Sequence, residues 1–286
     1  MTCLCWENKE ESMYGAIIGD IIGQPFESMI NKSKEFPLFG NRPHFTDDTV
    51  MTLAVCDGIL KAGLDAGKKE MKLSIIERIR LWVEKYPDAG YGKMFKKWLG
   101  KKSYRPYKSF GNGAAMRVSS TGWLFDSLER TREVSRWSAE VTHNHKEGIK
   151  GAESVASAIY LARTGASRKE IKDYIQKKFK YDLSKTCDEI RPSYCFDSSC
   201  QGTCPQAIAA FLDGESFEDV IRNAVSLGGD SDTIAAIAGS IAEAYFGIPE
   251  FFKEKAMEFT KDDMHEVIRD FEAVARKRVY EVDVLV

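Results

Sequence analysis

The chain has 286 residues, 43% hydrophobic and 29% charged, and its 41 basic and 43 acidic residues give a net charge of −2. A chain of this size buries a sizeable core, and the balance excludes both a disordered polymer and a global basic field that recruits nucleic acid or an anionic membrane. Seven cysteines without a C-x2-C pair argue against a disulfide scaffold or a structural zinc, and for reduced thiols in a cytoplasmic setting.

Residues 1–12, "MTCLCWENKEES", lack the basic start and apolar core of a secretory signal. They read as a flexible extension ahead of one domain over residues 13–286. "GAIIGDIIG" then spaces Gly15, Gly19 and Gly23 along one helix face, where missing side chains let another backbone come close. Pro25 ends that helix and leaves Glu27 just beyond it. In "FTDDTVMTLAV", residues 45–55, Thr46, Asp47, Asp48 and Thr49 stand at the mouth of an apolar segment. The plain reading is a helix cap, because side-chain oxygens take up the free N–H groups of a first turn and the dipole favours acids there.

"MKLSIIERIRLWVEKY" continues the helical periodicity. "KMFKKWLGKKSYRPYK", residues 93–108, interleaves Lys and Arg with aromatics. It reads as a solvated charged face, the alternative being a local surface for nucleic acid or another anion. "SFGNGAAMR", residues 109–117, is a Gly–Asn–Gly turn opening a helical stretch, a backbone able to cradle a phosphate, though without the dinucleotide fingerprint. In "THNH" at 142–145, His143 or His145 contacts a phosphate or hydroxyl, or serves as a cap or buried hydrogen-bonding group. Helical patterns resume through "LERTREVSRWSAEVT", "HKEGIKGAESVASAIYLARTG", "SRKEIKDYIQKKF", "CPQAIAAFLDG" and "SFEDVIRNAVSLGG". Alternation reappears only in the terminal "KRVYEVDVLV", which reads as a strand or a tail packed on the surface. No apolar run is long and unbroken enough to span a bilayer. The fold class is all-α, with one domain.

"GGDSDTIAAIAG" at 228–239 repeats the theme of the first acid motif. Asp230, Asp232 and Thr233 open a helix that is apolar nearly all round, and hence buried. Two buried acid pairs facing each other repel unless cations lie between them. Carboxylates and hydroxyls suit Mg²⁺ or Mn²⁺ rather than zinc. From spacing alone, two independent caps and one shared metal site both stay open.

Taken in order, "YGAIIGDIIGQPFE", "FTDDTVMTLAV", "FGNGAAMR", "THNHKEGIKGAESVA", "CQGTCPQAIAAFL" and "SLGGDSDTIAAIAGSIAEAYFG" resemble the ADP-ribosylglycohydrolase family. The resemblance implies a compact multi-helix domain with two Mg²⁺ or Mn²⁺ ions at the bottom of a cleft. It implies Thr46, Asp47, Asp48, Asp230, Asp232 and Thr233 as metal ligands. Glu27, with Asp47 and Asp48, becomes a candidate catalytic carboxylate. Ser109, Phe110, Gly111, Asn112 and Gly113 match the loop that receives ADP-ribose, and His143 matches a position near its phosphates. The implied reaction is hydrolysis of the bond between ADP-ribose and an acceptor, arginine on a protein first, with serine, small-molecule esters or a nucleic-acid base left open. A monomer acting without a membrane is expected. The competing readings are a two-metal phosphohydrolase of nucleotide pyrophosphates and a non-catalytic ADP-ribose binder.

Overall fold

The structure, a computed structural model, describes residues 12–27, 30–40, 42–101 and 103–283, with side chains described to Arg276. The N-terminal extension expected from the sequence therefore lies outside the described residues, except for Ser12. That residue is buried and its hydroxyl donates to Glu243. In chain order the helices are α1 (Tyr14–Gly23), α2 (Asp47–Ala62), α3 (Lys68–Lys85), α4 (Lys93–Leu99), α5 (Gly113–Met116), α6 (Ser119–Trp123), α7 (Leu128–Glu140) and α8 (Lys146–Arg163). They continue with α9 (Arg168–Phe179), α10 (Cys187–Ile190), α11 (Cys200–Asp213), α12 (Phe217–Ser226), α13 (Ser231–Phe246), α14 (Glu250–Phe259) and α15 (Asp262–Asp283). Among the described residues there is no strand, only an isolated bridge between Gly111 and Ser199.

Helix α13 is the axis of the core. Its Ala, Ile and Gly residues leave it no polar face, and every residue from Ser231 to Ala244 is buried, as expected for a helix apolar all round. Helix α1 lies against it on the glycine face. A Cβ on Gly15 would stand 2.3 Å from the Gly239 carbonyl oxygen, one on Gly19 2.1 Å from that of Ala235, and one on Gly23 2.5 Å from the Asp232 Cα. These are backbone-to-backbone contacts that no larger residue permits. At the N-terminus of α1, Met13 offers no side-chain cap. Glu243 of α13 does the capping from outside, accepting the N–H groups of Tyr14 at 3.2 Å and Gly15 at 2.8 Å. Burial pushes this carboxyl up to about 7.

Helix α2 packs on α1, α3 and α15, while α8 and α11 close the other flank of α13. The strand-like reading of the C-terminus is overturned, because α15 runs on to Asp283 and residues 284–286 lie outside the described residues. Met264, Val267, Ile268, Phe271 and Ala275 form its buried face, at helical spacing. Extending an established helix adds one hydrogen bond per residue, whereas a strand here would find no edge to pair with among the described residues.

Gly19→Ala is expected to cost more than about 3 kcal/mol, because backbone atoms of α13 cannot yield as a side chain would. Thermal unfolding followed by circular dichroism should show a drop of at least about 6 °C; an unchanged melting temperature would contradict the backbone contact.

Candidate active site

The first acid motif is placed by a residue outside it. Asp20, in the middle of α1, is 0% exposed. Its carboxylate accepts the Thr46 N–H at 2.8 Å and hydroxyl at 2.7 Å, and the Thr49 N–H at 3.0 Å and hydroxyl at 2.5 Å. Four donors satisfy a charge that would otherwise be costly to bury. Burial still raises the Asp20 carboxyl, with these hydrogen bonds opposing the rise. Asp20 thereby ties the first turn of α2 to α1. Thr46 caps α2, its side chain accepting the Asp48 N–H at 3.2 Å, so the capping reading holds for that residue. Asp47 and Asp48 are left to face the cavity.

In the second motif only Asp232 takes up a first-turn amide, its Oδ1 accepting the Thr233 N–H at 2.9 Å. Asp230 precedes α13 and makes no side-chain capping bond; its Oδ2 instead accepts from Asn112 Nδ2 at 2.7 Å. Gly228 and Gly229, at φ 73° and 77°, form the left-handed turn that delivers it, a conformation glycine adopts without strain. Glu27 follows the 3-10 turn Gln24–Phe26, and its carboxylate oxygen lies within 4.8 Å of those of Asp230 and Asp232. Thr233 Oγ1 donates to Asp48 Oδ2 at 3.2 Å, joining the motifs across 185 positions of sequence.

The donors are therefore all oxygen. Asp48 is 3% exposed, and its Oδ1 is buried without a hydrogen-bond partner among the described residues. Burial and then the charge of Asp20 push Asp47 up to about 7. The same two causes hold Asp48 well above its usual range, and burial and the charge of Asp48 do so for Asp232. Burial, followed by the charges of Asp230 and Asp20, raises Glu27. Mutually repelling acids with an orphaned carboxylate oxygen fit one or more hard divalent cations.

Opposite this acidic floor stands the glycine turn. The Gly111 N–H is taken by Ser109 Oγ at 3.1 Å and that of Asn112 by the Ser198 carbonyl at 2.8 Å. Those two amides are thus already bonded, and the Asn112 side chain serves Asp230 and Thr203. Asn112 orients an acid as well as shaping the turn. His143 stands over the turn: a Cβ on Gly113 would lie 3.3 Å from its Nε2. Behind it, Arg117, 1% exposed, donates to Thr142 Oγ1 at 2.8 Å, and that hydroxyl lies 2.7 Å from His143 Nδ1. The Thr142 hydroxyl thus links the guanidinium to the imidazole, whose Nε2 faces the turn. Burial and then Arg117 hold His143 well below its usual range, so the ring is neutral. His145 is the helix cap of the pair, its Nδ1 accepting the Glu147 N–H at 3.2 Å.

One cavity of about 660 Å³ is lined by Glu27, Thr46, Asp47, Asp48, Ser109, Phe110, Gly111, Asn112, Gly113, His143, Asp230, Asp232 and Thr233. Every site residue implied by the family resemblance is in that set, and His145, the other histidine of the THNH stretch, is not. Arg117 lines it too, and sequence reading passed over it, as it did Asp20. For Asp20 a signal existed: a lone acid inside an otherwise apolar helix needs buried donors. The segment after Glu27 is held down by Lys32, which donates to the carbonyls of Tyr194 at 2.7 Å and Leu227 at 2.5 Å. Arg222 adds bonds to the carbonyls of Lys34 and Phe36, each at 2.9 Å.

Comparison with known proteins agrees with this geometry. ADP-ribosylhydrolase ARH3 of Mus musculus is 26% identical over 333 aligned positions, covering 87% of each chain. ADP-ribosylarginine hydrolase Tri1 of Pseudomonas putida is 25% identical, covering 86% of this chain and 73% of its own. A solved structure titled ADP-ribosylglycohydrolase-related protein complex superposes with a TM-score of 0.69 at 22% identity, covering 92% of this chain and 94% of that one, and so shares the fold. Residues 10–281 match the sequence profile described as ADP-ribosylglycohydrolase, and the chain belongs to that family.

Proposed function

We propose that this chain hydrolyses the bond between ADP-ribose and an acceptor, releasing ADP-ribose, with divalent cations, Mg²⁺ or Mn²⁺, held by the acid motifs. The observation that carries the reading is the meeting of those motifs. The Asp48–Thr233 hydrogen bond closes one acidic floor, opposite a glycine turn backed by a neutral histidine and a buried arginine. Asp47, Asp48, Asp230 and Asp232, with Thr46 and Thr233, would hold the ions. Bound there, the ions would fix sugar hydroxyls and lower the pKa of a water.

The remaining work falls to the chain's own residues. The buried Arg117 charge beside His143 favours an anionic group at the glycine turn, which suits a pyrophosphate and supplies binding energy away from the reacting carbon. Glu27 is exposed and lines the cavity, and burial with the charges of Asp230 and Asp20 makes it a stronger proton acceptor than an ordinary carboxylate. In the reaction a water oxygen bonds to the anomeric carbon of ribose as the bond to the acceptor breaks. One water proton passes to Glu27 and is returned to the departing acceptor atom. A ribosyl cation-like transition state is the one two-carboxylate glycosidases also stabilise. For the acceptor we favour arginine, since the Pseudomonas putida relative is named for ADP-ribosylarginine.

The test is incubation with arginine-ADP-ribosylated protein, with and without Mg²⁺, and mass spectrometry of the product. Intact ADP-ribose is expected. Asp48→Ala should lower the rate by about a hundredfold or more and Glu27→Gln should lower kcat similarly with KM little changed. AMP as the product would replace this reading with pyrophosphate hydrolysis, and a fully active, folded Asp48→Ala would remove the acid motifs from the chemistry.

Cation binding should also release protons. Below about pH 7 Asp47 is largely protonated in the cation-free protein, and coordination requires the carboxylate. Apparent Mn²⁺ affinity is therefore expected to rise with pH through about 7. Calorimetry in buffers of different ionisation enthalpy measures the released protons, and a pH-independent affinity with no proton release would contradict the placement of Asp47.

A further inference from the structure

Residues 93–108 contain seven of the 41 basic residues and none of the 43 acidic ones, which leaves the rest of the chain net acidic by nine. Helix α4 explains how that charge is presented. Phe95 and Trp98 turn into the core, so Lys93, Lys96 and Lys97 are exposed in one stripe at i, i+3, i+4 spacing. The stripe starts at the cavity, since Lys93 and Met94 line its mouth, and Lys108 returns to it at the far end of the loop. Lys108 is held there in a left-handed conformation, φ 54°, with its N–H bonded to Asn144 Oδ1 at 2.8 Å.

The side chains of Lys93, Lys96, Lys97, Lys101 and Arg105 make no ion pair with the described residues. Unneutralised cations on the rim of a cavity with an acidic floor attract a polyanion to the rim and away from the floor. One exposed aromatic decides its class. Tyr104 is 46% exposed, and the Arg80 guanidinium sits 5.1 Å from its ring centre. Met94 is 56% exposed beside the lysines. An acidic peptide is satisfied by lysines alone, whereas a single strand of nucleic acid uses both phosphate contacts and ring faces on which bases stack.

We infer that α4 with Lys101, Tyr104, Arg105 and Lys108 forms a binding surface for single-stranded nucleic acid, presenting an ADP-ribosylated strand to the cavity mouth. The second half of this statement rests on the ADP-ribose reading; the first does not. Fluorescence anisotropy of a labelled single strand of about twenty nucleotides with the full chain, over a salt series, tests it. The combined Lys96→Glu, Lys97→Glu, Lys101→Glu variant uses exposed positions outside the cavity. It should bind about tenfold or more weakly at about 50 mM salt and lower the log–log salt slope by about 2. Tyr104→Ala should weaken binding with little change of slope, while release of ADP-ribose from free ADP-ribosylarginine stays at the wild-type rate in the triple variant. No binding by the wild type at low salt, or equal binding by the triple variant, would overturn the inference. So would equal affinity for an acidic peptide of matched charge, which would assign the surface to acidic proteins. Strand binding as described with no hydrolysis of any ADP-ribosyl substrate would keep the surface and remove the proposed function.

Discussion

The contact between α1 and α13 sets the terms for the rest of the molecule. Three glycines on α1 bring the two backbones together, and that approach carries Asp20 into the core and Glu27 to the end of α13. Asp20 in turn holds Thr46 and Thr49, which orients α2 so that its first-turn acids meet the acids that open α13. A wider helix spacing would leave each motif as a separate cap. The local sequence of each motif is compatible with either outcome, and the packing distance chooses between them.

A division of charge follows. On the floor, burial and neighbouring carboxylates raise Glu27, Asp47, Asp48 and Asp232 above their usual range, a state that a cation relieves. The facing wall contains a buried arginine whose guanidinium acts through Thr142 on His143. Acids on one side and a fixed cation with a neutral imidazole on the other suit a ligand that is hydroxyl-rich at one end and anionic at the other. That polarity, built from side chains locked by burial, agrees with the family to which the chain belongs.

Much of this was legible in the sequence because it is written in local patterns. Helix periodicity, the glycine spacing and the paired acid–threonine motifs are short-range features, and the site residues implied by the family resemblance of those blocks line one cavity. What escaped depends on contacts between distant segments. Asp20 looked like an interruption of an apolar helix, since its four donors come from Thr46 and Thr49. Arg117 ended an unremarked "AAMR", since its partners Ser138 and Thr142 arrive from the end of α7 and the turn beyond it. Asn112 was read for its backbone, yet its amide points at Asp230, 118 positions away. The C-terminal alternation misled because valines spaced two and four apart satisfy strand and helix patterns alike, and the buried face of α15 upstream favours the helix.

The central claim is that one packing contact assembles a cation site from two distant acid motifs. The most direct measurement is anomalous diffraction from crystals of the protein soaked in Mn²⁺. The account expects two manganese peaks between the carboxylates of Asp47 and Asp48 and those of Asp230 and Asp232. Peaks confined to the surface, or none at that floor with ordered acids around it, would contradict it.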